Sequence, residues 1–155
     1  QEYAKAHPGD SLRTYYQGWA LLESGKAEAA VAALIEGIEG TANPPALLWC
    51  MLSEAYLASR APDHAVTAAE VTRDMVEAGD TSLAIHSDQA MAELFRLLGR
   101  AYLAAGRCVD AEAMLTHAQF LETGSSDTGV ILEQARLCLT PTPNPTPYPT
   151  TTPSR

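Results

Sequence analysis

Catalysis and ligand chemistry need particular side chains at particular spacings, and this sequence offers few of them. Ser24-Gly25-Lys26 ends as a phosphate-binding loop would. The earlier glycine is misplaced, however, and Ala27 stands where Ser or Thr would hold a magnesium ion. The stretch from Gly124 to Gly129 reads as a turn and helix cap, without the strand and Gly-X-Ser-X-Gly spacing of a nucleophile elbow. His7, His64, His86 and His117 are scattered, with no HExxH motif and no pair four residues apart on one helical face. Cys50, Cys108 and Cys138 form no CxxC pair, so their spacing suggests no zinc site. The acidic residues are spread along what read as solvated helix faces. The expectation is a non-catalytic protein with no cofactor and no metal.

Charge and composition narrow the partners. Nineteen Asp and Glu against ten Lys and Arg give a net charge of −9. That balance argues against nucleic-acid phosphates, which require clustered cations, and more weakly against an anionic membrane surface. No apolar run approaches the roughly 20 residues needed to span a bilayer. The remaining partners are proteins or peptides. The chain of 155 residues fits one domain, rich through residue 139 in Ala and Leu and poor in strand-favouring residues.

The elements that position these side chains come from an internal repeat. One cluster reads Gly18, Leu21, Gly25, Ala30. A second reads Trp49, Leu52, Ser53, Tyr56, Ala65, with Arg60 where the glycine would be. A third reads Phe95, Leu98, Gly99, Tyr102, Gly106, Ala111, Ala118. The offsets are 35 and 46 residues, and the order of features is conserved between clusters. Steps of three and four residues place each set on one stripe of a helix. The small residue (Gly18, Ser53 or Gly99) admits a partner helix closely, and Gly25 and Gly106 sit where the chain must turn. The wider second spacing predicts longer helices around a turn at Gly79–Asp80, with Thr81 or Ser82 as N-cap.

This pattern resembles the tetratricopeptide repeats, in which a large residue, Leu-Gly, Tyr, a turn Gly and a later small Ala recur over 34 residues. The third unit matches at every one of these positions. The second matches at most of them, and the first is weaker, with Thr14 and Gln17 where bulk is expected. The resemblance covers residues 1–139 and implies an all-α, right-handed α-solenoid of antiparallel helix pairs, about three repeats with half repeats at the ends. It further implies a concave groove lined by the first helices. In this sequence the groove-facing positions are Tyr15, Trp19, Leu22, Glu54, Leu57, Arg96 and Arg100. Tyr15 and Trp19 are candidate anchors, with core packing as the alternative. Arg96 and Arg100, four apart, are candidates to hold a carboxylate jointly, with pairing to Glu54 or Glu93 as the alternative. The Lys/Asn/Arg set of the family's carboxylate-clamp members is missing.

The same register makes the ends half repeats. Gln1 to His7 read as the last turns of a second helix, and Ser126 or Asp127 caps a first helix from about Thr128 to Leu139. Exposed apolar ends suggest that one copy completes the next, head to tail, through Tyr3, Val130, Ile131, Leu132 and Leu137; an open series of such contacts makes a filament. The alternative is a piece trimmed from a longer array. Cys108 and Cys138 fall at the same end of neighbouring antiparallel helices, so either a disulfide or two buried free thiols fits, while Cys50 reads as a packing residue.

From residue 140 to 155 the composition turns to Thr and Pro, which excludes helix and favours an extended, polyproline-like tail. Such a tail suits O-linked glycans on Thr140, Thr142, Thr146, Thr150, Thr151 and Thr152, or a plain linker. Asn144 precedes Pro145, so there is no N-glycosylation sequon. Beginning at Gln1, the chain has either lost a targeting segment or belongs to something longer. Two readings follow: an extracellular or cell-surface subunit that binds other copies of itself and carries glycans, or a peptide-binding adaptor module, cytoplasmic if a fragment.

Overall fold

The computed structural model describes residues 10–122 and 127–140. Among them are seven helices: α1 Ser11–Glu23, α2 Ala27–Glu39, α3 Ala46–Ala58, α4 Pro62–Glu77, α5 Asp88–Ala104, α6 Cys108–Leu121 and α7 Thr128–Leu139. They form helix pairs α1/α2, α3/α4 and α5/α6, stacked so that each pair packs on the next, with α7 against α5 and α6. The architecture is the α-solenoid that the repeat spacing predicts.

Three-residue turns close each pair. In all three the residue after the C-cap is left-handed: Gly25 at φ 70°, Arg60 at 60° and Gly106 at 74°. The amides of Gly25 and Lys26 return to the Leu22 and Leu21 carbonyls, each at 2.9 Å, which completes a Schellman stop. Arg60 makes the same turn without glycine, at a strain of about 1 kcal/mol. Within each pair the small residue sets the approach. Gly18 lies under Leu34 and Gly99 under Leu115, while the buried Ser53 hydroxyl donates to the Ala65 carbonyl at 2.9 Å.

Two expectations need correction. The wide spacing between the second and third units does lengthen α4 and α5, but the helices do not meet at Gly79–Asp80, and neither Thr81 nor Ser82 caps α5. Ser87 does, its hydroxyl accepting from the Ala90 amide at 3.2 Å. The segment 78–87 is a loop because its polar side chains serve another helix. The Asp80 carboxylate accepts from the Ala46 amide at 3.2 Å, and the Ser82 hydroxyl accepts from the Leu47 amide at 3.0 Å. Together they cap α3, whose own N-cap residue, Pro45, has no side chain able to do so. Asp80 is partly desolvated, which opposes its charge. Hydrogen bonds from Ser82 and from the Ala46 amide outweigh this and hold its carboxyl below the usual range.

The second correction concerns the end. Leu132 is fully buried with Leu98 and Leu115, and Ile131 packs against the same core. The reason is register: Thr128, Ile131, Leu132 and Ala135 repeat Leu94, Leu97, Leu98 and Ala101 after 34 residues. Leu132 is therefore not an open assembly residue; Val130 and Leu137 remain exposed. α7 runs from Thr128 to Leu139, but Asp127 makes no side-chain cap bond, and Ser126, like Gln1 to His7, lies outside the described residues.

Candidate protein-binding groove

The first helices of successive units, α1, α3, α5 and α7, lie side by side, each touching the next. Between α3, α5 and the 78–87 loop is a recess of about 220 Å³. Cys50 and Glu54 enter it from α3, and Glu93, Arg96, Leu97 and Arg100 from α5. The loop supplies Leu83 and Ile85, on either side of Ala84. Ala84 is left-handed at φ 50°, a conformation strained for alanine. Of the groove positions expected from register, Glu54, Arg96 and Arg100 meet here.

Arg96 and Arg100 do not form a free pair. Arg100 Nη1 lies 2.9 Å from Glu54 Oε1, linking α5 to α3. Arg96 Nη1 lies 3.6 Å from Glu122 Oε1, and that nearly buried carboxylate also accepts from the Thr128 hydroxyl at 2.6 Å. Each guanidinium is thus held by a carboxylate of its own chain, so an incoming carboxylate must compete for it. Cys50 sits among these charges as a protonated thiol. Burial, and then the negative charge of Glu54 and Glu93, push it up to about 12, which leaves it without nucleophilic thiolate at neutral pH.

The other expected positions spread outward. Tyr15 and Leu22 are half-buried against the core formed by α2, α3 and Ala68 of α4. Burial is also the main reason the Tyr15 hydroxyl titrates above its ordinary value. Trp19 is half-exposed on α1 and does not line the recess. Leu57 does not line the recess and instead borders a separate pocket with Arg60, Pro62 and Ala104. Leu83 and Ile85 were not expected here, Cys50 was read only as a packing residue, and Glu93 was named only as an alternative partner of the arginines. Cys50 precedes Glu54 by one turn and was legible from register, whereas the loop residues carry no periodic signal. Sequence reasoning also missed Leu12 and Tyr16, exposed with Trp19 on one stripe of α1.

Cys108 and Cys138 are joined as a disulfide, their Cα atoms 5.8 Å apart, so α7 is bonded covalently to the start of α6. Thr140 is exposed and its hydroxyl donates to the Leu137 carbonyl at 2.6 Å. Tyr3, Thr142, Thr146, Thr150, Thr151 and Thr152 lie outside the described residues. No helix among the described residues is long and apolar enough to cross a membrane.

Stacked helix pairs with Schellman turns and a face built from every first helix define an α-solenoid of the tetratricopeptide type. Solved structures share it. The chain is similar to the first TPR domain of the human RPAP3 protein, at 15% identity and a TM-score of 0.66, over 83% of this chain and 91% of that one. It is also similar to the second TPR domain of human RPAP3, solved in complex with the HSP70 peptide SGPTIEEVD. There the identity is 18% and the TM-score 0.64, over 81% and 94% of the two chains. No protein-family model matches the chain, and no curated protein matches it. At these identities the likeness is one of fold.

Proposed function

We propose that this chain is a non-catalytic protein-interaction module that holds an extended segment of a partner protein along the face made by α1, α3 and α5. The observation that carries this reading is the recess between α3 and α5. There, charges of both signs from Glu54, Glu93, Arg96 and Arg100 surround an aliphatic wall of Leu83, Ile85 and Leu97. A few placed polar groups around apolar surface are what a peptide site needs to fix register and gain affinity. The similar RPAP3 domain holding a peptide supports a peptide as the kind of partner. Selection from a displayed peptide library, followed by calorimetry, tests the reading. Selected peptides should bind Arg100→Ala and Ile85→Asp about tenfold more weakly than wild type, about 1.4 kcal/mol, at unchanged helicity. Peptides that bind these variants as well as wild type would refute it.

A second reading is a secreted or surface subunit that assembles head to tail, with residues 140–155 as a separate glycan-bearing tail. The Cys108–Cys138 bridge favours an oxidising compartment. Exposed Val130 and Leu137 at one end, and Leu12, Tyr16 and Trp19 at the other, are the surfaces that would meet. Electron microscopy with intact mass separates the readings: filaments of added mass support this one, and discrete particles of 16.5 kDa chains remove it.

A further inference from the structure

We propose that the recess between α3 and α5 is a pocket for a basic side chain, a lysine or arginine of the partner segment, whose charge meets Glu93. The inference rests on the groove reading above and adds the chemistry of the residue that the groove selects.

The charges around the recess do not balance. Glu54, Glu93, Arg96 and Arg100 line it, and Glu122, at the end of α6, holds Arg96. Both guanidiniums are engaged, Arg100 Nη1 with Glu54 at 2.9 Å and Arg96 Nη1 with Glu122 at 3.6 Å. Glu93 is exposed and makes no ion pair among the described residues. Three carboxylates thus share two guanidiniums, and the charge left over is that of Glu93. The Cys50 thiol, which lines the same recess, registers this excess. After burial, the negative charges of Glu54 and Glu93 are what hold it up at about 12.

The wall of the recess fits the same guest. Leu83 and Ile85 from the loop and Leu97 from α5 supply aliphatic surface. A lysine or arginine has an apolar stem to lay on such a wall and a cationic head to keep beside a carboxylate near water. An acidic side chain meets Glu54 and Glu93 as like charges, and gains a partner only by displacing Glu54 or Glu122 from its arginine. An apolar side chain fills the recess but leaves the Glu93 carboxylate partly desolvated and unpaired, which is costly. Arg100 still contributes to binding: it spends Nη1 on Glu54, and its other N–H donors suit a neutral acceptor such as a backbone carbonyl of the segment.

Peptides selected from the displayed library are titrated by calorimetry, with the methyl resonances of Ile85 and Leu97 reporting occupancy of the recess. The expected peptides share a lysine or arginine, and exchanging it for glutamine weakens binding about tenfold. Glu93→Gln should weaken the parent peptide by the same factor and leave the glutamine peptide unaffected, so that the two changes are not additive. Glu93→Lys should instead select peptides with an acidic residue at that place. Peptides that shift both methyl resonances yet carry no basic residue, or bind Glu93→Gln as tightly as wild type, overturn this proposal and leave the groove reading standing. A library that yields no binder, or binders that leave those methyl groups unmoved, overturns both.

Discussion

The capping of α3 by the 78–87 loop ties stability, pH and the groove to two side chains. Replacing Asp80 and Ser82 by alanine removes the acceptors of the Ala46 and Leu47 amides, which lie at 3.2 and 3.0 Å from them. Pro45 cannot replace them, since it carries no acceptor side chain. Each lost N-cap acceptor costs about 1 kcal/mol, so the double variant should lose about 2 kcal/mol. For a domain of this size that lowers the melting temperature by about 4–8 °C. The sign of the pH effect follows from the depressed Asp80 carboxyl. Its contribution is fully present above the unfolded value near 3.8 and is lost as pH falls through the lower folded value. Asp80→Asn should therefore be less stable than wild type at neutral pH, and the gap should narrow below about pH 4. Thermal melts by circular dichroism from neutral to acid pH supply both numbers. A gap constant across that range, or a double variant that melts with wild type, would refute the capping argument. Because Leu83 and Ile85 ride on the same loop, the double variant should also bind selected peptides more weakly than its stability loss requires.

Two further predictions concern packing. Gly99→Ala places a methyl group 2.5 Å from Leu115 Cγ, and Leu115 is fully buried. The variant should lose about 1–3 kcal/mol in chemical denaturation, although alanine is the better helix former by about 1 kcal/mol. Leu132→Ala should cost about 2–5 kcal/mol by opening a cavity in the core. The exposed Leu137→Ala should change denaturation stability by no more than about 0.5 kcal/mol, which a paired unfolding experiment distinguishes.

Much of this was legible before the structure, for identifiable reasons. Gly18 and Gly99 mark close helix approaches because a larger residue would collide with Leu34 and Leu115, and Ser53 marks one because its buried hydroxyl reaches the Ala65 carbonyl. Gly25 and Gly106 mark turns because the chain enters the left-handed region there, and Arg60 was placed by its neighbours rather than by its own type. What stayed hidden was interaction at a distance. Asp80 caps a helix that starts 34 residues earlier, and Arg96 finds Glu122 beyond the end of α6 instead of the neighbouring Glu93. Side-chain pairing across a fold has no period to read. The burial of Leu132 was within reach, because extending the third unit's register by 34 residues predicts it.

The two ends of the solenoid differ by the same rule that stacks its middle. A helix joins the stack when the preceding one presents a small residue beneath it and an apolar stripe beside it. On α7 the small position is Glu133, and Arg136 beside it reaches Glu112 at 3.3 Å as well as Glu133. A helix approaching α7 as α6 approaches α5 would have to bury that carboxylate away from water, which costs more than the contact returns. That position of α7 therefore disfavours a further helix, while Val130 and Leu137 stay exposed on the same helix. On α1, where Gly18 keeps the small position under Leu34, leucine, tyrosine and tryptophan are exposed among the described residues instead.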